Sequence, residues 1–212
     1  MRILALDTAL AATSVAILRD DVVLASRSEA MTRGHQERLA TLVQELMRQA
    51  GLDFTDLERI AVTVGPGSFT GLRVGLAFAK GLGAALQRPV TGVGTLEALA
   101  ASAPPARLTA AVIDARRDQI YVQAFADGAP ASPPEALGLD QATARLLALD
   151  PEGPSHLIGP GAALLAERFP LAACDPRSAP DPAALARLAA DAASSGPPAP
   201  LYLRAPDAKL PA

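Results

Sequence analysis

Apolar and polar positions along this chain change period several times, and each change marks an element. Arg2–Leu6 is an apolar run closed by Asp7-Thr8, and a small-residue turn over Ala9–Thr13 leads to a second run, Ser14–Leu18. An Asp20-Asp21 turn and a third run, Val22–Ser26, complete the pattern of an antiparallel meander. Over His35–Ala50 the period lengthens: Leu39, Leu42, Val43, Leu46, Met47 and Ala50 fall on one helical face, and Gly51 stands where a helix stops. The β-branched run Ile60–Val64 predicts a buried strand. Gly65-Pro66-Gly67 turns the chain, and Ser68 opens a helix over Ser68–Gln87 as its N-cap. Pro89–Val93 is strand-like, and Thr95 is placed to cap a helix over Leu96–Ser102.

After the Pro104-Pro105 break a similar order returns. Leu108–Ile113 is an apolar run ending in Asp114, Arg116–Asp118 is a polar turn, and Ile120–Phe125 runs back. Residues 127–155 read as loop plus one helix, Gln141–Leu149. His156–Ile158 then leads into Gly159-Pro160-Gly161 and a helical run, Ala162–Phe169. Gly196–Pro200 reads as a linker to a final strand. Each half thus carries an Asp-terminated hairpin followed by a strand, a Gly-Pro-Gly turn and a helix. Because Gly-Pro-Gly is a cheap turn in a chain with 16 Gly and 19 Pro, the order of elements carries more weight than the tripeptide. The order predicts an α/β fold of two ribonuclease-H-like halves with mixed sheets and crossover helices. This is the duplicated actin/Hsp70-type (ASKHA) architecture, with lobes at 1–105 and 106–212. In such proteins the Asp that ends the first hairpin strand lies near nucleotide phosphates and metal; Asp7 takes that position and Asp114 its counterpart.

Composition narrows the function classes. Hydrophobic residues make up 50% of the 212 positions, enough for a sizeable core. A net charge of −3, with no basic run beyond Arg116-Arg117 and 3% aromatics, argues against independent nucleic-acid binding. One cysteine excludes a disulfide framework and fits a reducing compartment, and with two histidines it leaves little for a structural zinc site. No apolar stretch approaches the roughly 20 residues that span a bilayer, and the first residues lack a signal-peptide layout, so a cytoplasmic protein is expected.

The chemistry-bearing segments are few. The strand–Gly-Pro-Gly–helix unit over Gly65, Gly67 and Ser68 has the shape of a phosphate loop, since a helix N-terminus offers free N–H groups and a positive dipole end. It lacks the Lys-Ser/Thr of a Walker loop and the triple glycine of a dinucleotide fold. Ser68 is no Gly-x-Ser-x-Gly nucleophile, and N-capping accounts for it. His35 opens the first long helix, but a metal pair on one face needs a ligand four residues on, where Leu39 stands. Gly71, Gly75, Ala79 and Gly83 recur every fourth residue and form one small-residue row along the second long helix. Glycines there cost about 1 kcal/mol each relative to alanine. Close approach of another backbone offsets that cost, either from the chain's own sheet or from another molecule.

These motifs resemble the bacterial TsaB (YeaZ) family. The resemblance rests on Ile3–Thr8, His35–Leu39, Asp56–Gly75, Ala79–Gly81, Gly92–Leu99 and Pro200–Arg204, running from residue 1 to about 126 and returning at Tyr202. It implies the duplicated actin-like fold and a non-catalytic scaffold. It also implies that TsaD, a related subunit carrying a metal-binding His pair, transfers threonylcarbamoyl to N6 of the adenosine next to the tRNA anticodon. TsaE, a small ATPase, docks onto the pair, so ATP and metal are expected on partner subunits and tRNA only through the complex. The resemblance places TsaD binding, or homodimerisation, on the two long helices. The residues implied are His35, Leu39, Leu42, Val43, Leu46, Phe69, Thr70, Gly71, Leu72, Arg73, Gly75, Leu76 and Ala79. Asp7, Thr8, Gly65, Gly67 and Ser68 are left as a vestigial nucleotide site. The alternative is a stand-alone nucleotide-dependent or peptidase-like enzyme using Asp7 and the Gly65–Ser68 loop.

Overall fold

The computed structural model describes residues 1–192 and 196–204. The first sheet starts from β1 (Arg2–Asp7), β2 (Ala12–Arg19) and β3 (Val22–Ala30), an antiparallel meander. Helix α1 (His35–Ala50) leads to β4 (Arg59–Gly65), parallel to β1, and α2 (Phe69–Leu86) leads to β5 (Val90–Gly94), parallel to β4. The order is β3-β2-β1-β4-β5. After α3 (Thr95–Ala100) the second sheet is laid down by β6 (Thr109–Arg116), β7 (Gln119–Ala126), β8 (Ala129–Pro130) and β9 (Glu135–Gly138). Helix α4 (Leu139–Leu149), β10 (His156–Ile158), α5 (Ala163–Ala166) and β11 (Ala173–Asp175) complete it. Strands β6 and β7 pair antiparallel, β8 and β9 pair along the outer edge of β7, and β10 and β11 are parallel to β6. Every pairing of the first sheet therefore has its counterpart in the second, in the same sequence order and sense. The expected duplication is present in the fold.

Burial on both faces explains the unbroken apolar runs. In β1, Leu4 and Leu6 pack against α1 and α2, while Ile3 and Ala5 pack against α6 (Pro182–Asp191). Leu96 and Leu99 of α3 meet Ala111, Ile113 and Phe125 of the second sheet, whereas Ala98 joins the first-sheet cluster. The layers run α1–α2, first sheet, α3–α6, second sheet, α4–α5. The boundary at residue 105 separates the sheets, yet α6 crosses back to cover the first. Arg59 of β4 pins it there, donating to the carbonyls of Ala189 and Ala192, orphan acceptors at the α6 C-terminus.

Several expectations change in detail. Thr95 lies inside α3 with a buried hydroxyl and makes no cap hydrogen bond. The helix expected over Ala162–Phe169 keeps only Ala163–Ala166, and Pro170 disfavours helix at the residue before it. Among the described residues no strand follows Gly196–Pro200: Leu201 and Tyr202 join no sheet, the chain bends at Leu203 and Arg204, and Leu201 N–H donates to Val64 O at 2.7 Å. Strands β8, β9 and β11 are too short to show a period and are held by pairing. Helix α6, absent from the expectations above, carries its own start signal: Asp181 accepts from Ala183 N–H as N-cap, and Pro182 stands at the first helical position.

Candidate functional site

Strand β4 delivers the chain into Gly65, whose φ of +112° only glycine adopts easily, and the Gly65–Pro66 bond is cis. Gly67 lies against the Ala9 carbonyl, which accepts the Ser68 N–H at 2.7 Å. Ser68 Oγ accepts from Gly71 N–H, and Thr8 Oγ1 donates to Gly71 O at 2.7 Å. The turn after β1 thus sits on the first turn of α2 and takes up the Ser68 N–H, while Ser68 Oγ takes up that of Gly71, so two N–H groups that a phosphate would use are engaged within the chain. Beside it a cleft of about 370 Å³ opens between the lobes, lined by Gly67, Ser68, Asp114, Arg116 and Tyr121 among others.

Asp7 is fully buried. Its Oδ1 accepts from Thr63 Oγ1 at 2.7 Å and from Ala9 N–H at 3.0 Å, and Oδ2 has no partner. Burial pushes its pKa from 3.8 up to about 6, against the pull of those two hydrogen bonds. Asp114, at the matching place in the second lobe, is exposed and accepts from Arg116 N–H. His35 is buried with Nδ1 2.7 Å from Thr13 Oγ1, and burial lowers its pKa, favouring the neutral ring. Leu39, one turn on, is in the core. Among the described residues no three His, Cys, Asp or Glu side chains are grouped to hold a metal. These residues do not fit a metal–nucleotide centre.

The two long helices divide their faces in a way the sequence pattern did not resolve. Leu39, Leu42, Val43, Leu46, Leu76 and Ala79 are buried in the core between the helices and their own sheet, and Gly71, Leu72 and Gly75 are buried with them. Apart from Leu39, which reaches the floor of the groove described next, they present almost no surface to a partner in this folded form. The small-residue row is an intramolecular seat: a Cβ on Gly75 would lie 2.6 Å from Thr8 Oγ1 and 3.4 Å from Val62 Cγ2. Of the residues implied for partner binding, Phe69, Thr70 and Arg73 face outward. With Gln36, Val74, Ala77 and Phe78, and with Leu39 at its floor, they line an apolar groove of about 490 Å³ between α1 and α2. Gln36, Val74, Ala77 and Phe78 line the groove but are not among the residues the resemblance implies. A signal existed, because α2 is apolar on more than one side, as helices buried twice are.

The repeated sheet order around an interlobe cleft defines an actin-like, two-lobed α/β protein of the ASKHA class. Residues 23–155 match the family model described as TsaD: tRNA N6-adenosine threonylcarbamoyltransferase. The chain is 39% identical over 209 residues to "Uncharacterized protein Rv3421c" of Mycobacterium tuberculosis, covering 98% of this chain and 93% of that protein. It is 41% identical over 124 residues to the tRNA threonylcarbamoyladenosine biosynthesis protein TsaB of Escherichia coli, covering 57% of this chain and 53% of that one. A crystal structure with similarity to peptidase YEAZ from Pseudomonas aeruginosa superposes with a TM-score of 0.82 at 31% identity, covering 96% of this chain and 99% of that one. YeaZ from the same organism gives 0.77 at 29%, covering 95% and 99%. The chain belongs to the TsaB/YeaZ family, within the wider group of TsaD-type domains.

Proposed function

We propose that this chain is a non-catalytic subunit that docks a TsaD-family partner on the outward face of α1 and α2. It would thereby support transfer of threonylcarbamoyl to N6 of the adenosine next to the tRNA anticodon. The observation that carries this reading is the apolar groove between the helices, floored by Leu39 and flanked by Val74, Ala77, Phe78 and a half-exposed Phe69. Internal engagement of Asp7 and His35 supports placing the chemistry on the partner. TsaE would join the assembled pair, tRNA would meet this chain only through the complex, and a second copy could use the same groove. No helix among the described residues is long and apolar enough to cross a membrane, in keeping with action in the cytoplasm.

The test is titration calorimetry of the full chain with the TsaD-family protein from the same source. Val74→Arg and Phe78→Arg, each placing a charge in the groove, should weaken binding at least a hundredfold while leaving the melting temperature within a few degrees. An unpaired charge at a packed contact costs several kcal/mol, enough to dissociate a micromolar complex. Undiminished binding by both variants would sink the groove assignment. The stand-alone enzyme reading predicts ATP turnover or peptide cleavage by the isolated chain that disappears in Asp7→Ala; such activity would overturn the scaffold.

A further inference from the structure

At the N-terminal end of α2 the groove ends in a cluster formed by two of its own lining residues, Phe69 and Arg73, with Tyr202. Phe69 is 51% exposed and Tyr202 is 45% exposed, with ring centroids 5.5 Å apart and planes tilted by 34°. The Arg73 guanidinium lies over the Phe69 ring, 3.6 Å from its centroid. Arg73 is exposed and, like Arg19, Arg33, Arg48 and Arg88, forms no ion pair among the described residues; what sets it apart is the ring beneath its guanidinium. Tyr202 arrives from the far end of the chain and is held on both sides. Leu201 N–H donates to Val64 O, and Leu201 O would lie 2.8 Å from a Cβ on Gly65. Two residues on, Arg204 Nη1 donates to Ala115 O of the second lobe at 2.7 Å.

We propose that Phe69, Arg73 and Tyr202 form a second subsite of the docking face, which receives a partner segment carrying a side-chain carboxylate among apolar residues. The inference rests on the docking reading above and adds a chemical requirement on the partner. A guanidinium stacked on a ring keeps its edge N–H groups free, and that edge matches a carboxylate in bidentate fashion. Stacking and the anchors at Leu201 and Arg204 order these side chains before binding, which lowers the entropy lost on association. Two exposed rings beside the cation supply apolar area for the residues flanking the carboxylate. The C-terminal segment thereby becomes part of the interface, although the interface helices lie more than a hundred residues earlier.

The experiment uses the full chain and the same TsaD-family partner. Arg73→Ala and Tyr202→Ala should each weaken binding ten- to a hundredfold without lowering the melting temperature, Tyr202→Phe should stay within twofold of wild type, and Arg73→Glu should bind weakest. Raising NaCl from 0.1 to 0.5 M should weaken the wild type several-fold more than Arg73→Ala, because only the former has the ion pair to screen. Binding of Arg73→Ala and Tyr202→Ala within twofold of wild type, while Val74→Arg still abolishes it, overturns the subsite and leaves the docking face standing. Failure of the wild type to bind overturns both. Normal partner binding by Arg73→Ala with loss of tRNA binding by the assembled pair would assign the rings to base stacking, and would also refute the proposal.

Discussion

The two lobes share one strand order and one turn, Gly-Pro-Gly after the strand parallel to the first, yet the helices that this turn opens differ. In the first lobe it opens an 18-residue helix whose row of small residues rests on the sheet and on Thr8. In the second it opens a helix of four residues. The entry glycines even share a backbone conformation, with φ of +112° at Gly65 and +110° at Gly159. The turn therefore sets an entry angle, and the residues after it decide whether a long helix can lie close to the sheet. Small residues every fourth position permit that in the first lobe and leave the other side of α2 to form an outward apolar face with α1. The matching Asp of the two opening strands diverges likewise: Asp7 ends β1 and is sealed inside, whereas Asp114 lies two residues before the end of β6 and is exposed.

The largest expected effect comes from breaking the close approach in the first lobe. Gly75→Leu would drive a side chain into Thr8 and Val62 and should cost about 3–5 kcal/mol, read by urea denaturation. A loss below about 1 kcal/mol would show that α2 does not depend on this seat. Next comes the carboxylate pair. Each tenfold change in acidity corresponds to about 1.4 kcal/mol, so a rise from 3.8 to about 6 at Asp7 corresponds to up to about 3 kcal/mol. Because the folded-state pKa is raised, the stabilising contribution of protonation is fully present below 3.8 and is lost as pH rises through about 6. Asp7→Asn should therefore be more stable than wild type at pH 7, and the difference should shrink towards pH 4. The lowered pKa of His35 acts in the opposite direction in both proteins and cancels from the comparison. Asp114→Asn should leave stability within about 0.5 kcal/mol of wild type, as surface changes do. If the Asp7→Asn difference does not change with pH, the buried charge is not its cause. The smallest effect sharpens the contrast within α2 itself. Gly81 has open space where a Cβ would go, so Gly81→Ala should gain about 0.5–1 kcal/mol from helix propensity, opposite in sign to Gly75→Leu.

Much of the fold was legible because its strands and long helices carry strong periods. Strands β1, β2, β4, β6 and β7, with α1 and α2, lie within a residue or two of where the patterns put them, caps included: Ser68 accepts from Gly71 N–H, and Gly51 takes the left-handed C-terminal position. The candidate site was legible only as a pair of helices. The family resemblance places Leu42, Leu46 and Gly75 on a partner surface, and the sequence pattern cannot decide otherwise, because an apolar stripe and a small-residue row look the same in sequence whether they meet the chain's own sheet or another molecule. Short strands such as β9 and β11 exist through pairing with β7 and β10, and a four-residue or three-residue stretch has no period to display.

The sequence by itself determined the duplicated order of elements and with it the actin-like class, and it showed neither a P-loop signature nor a second helix-face ligand after His35. Those are properties of residue type and spacing, which local physics reads directly. Tertiary structure alone decided which helix faces are core and which form the groove, why Asp7 is isolated from the cleft, and that Tyr202 joins Phe69 and Arg73 from more than a hundred residues away. Burial depends on which surfaces meet, and that is settled by packing across the whole fold.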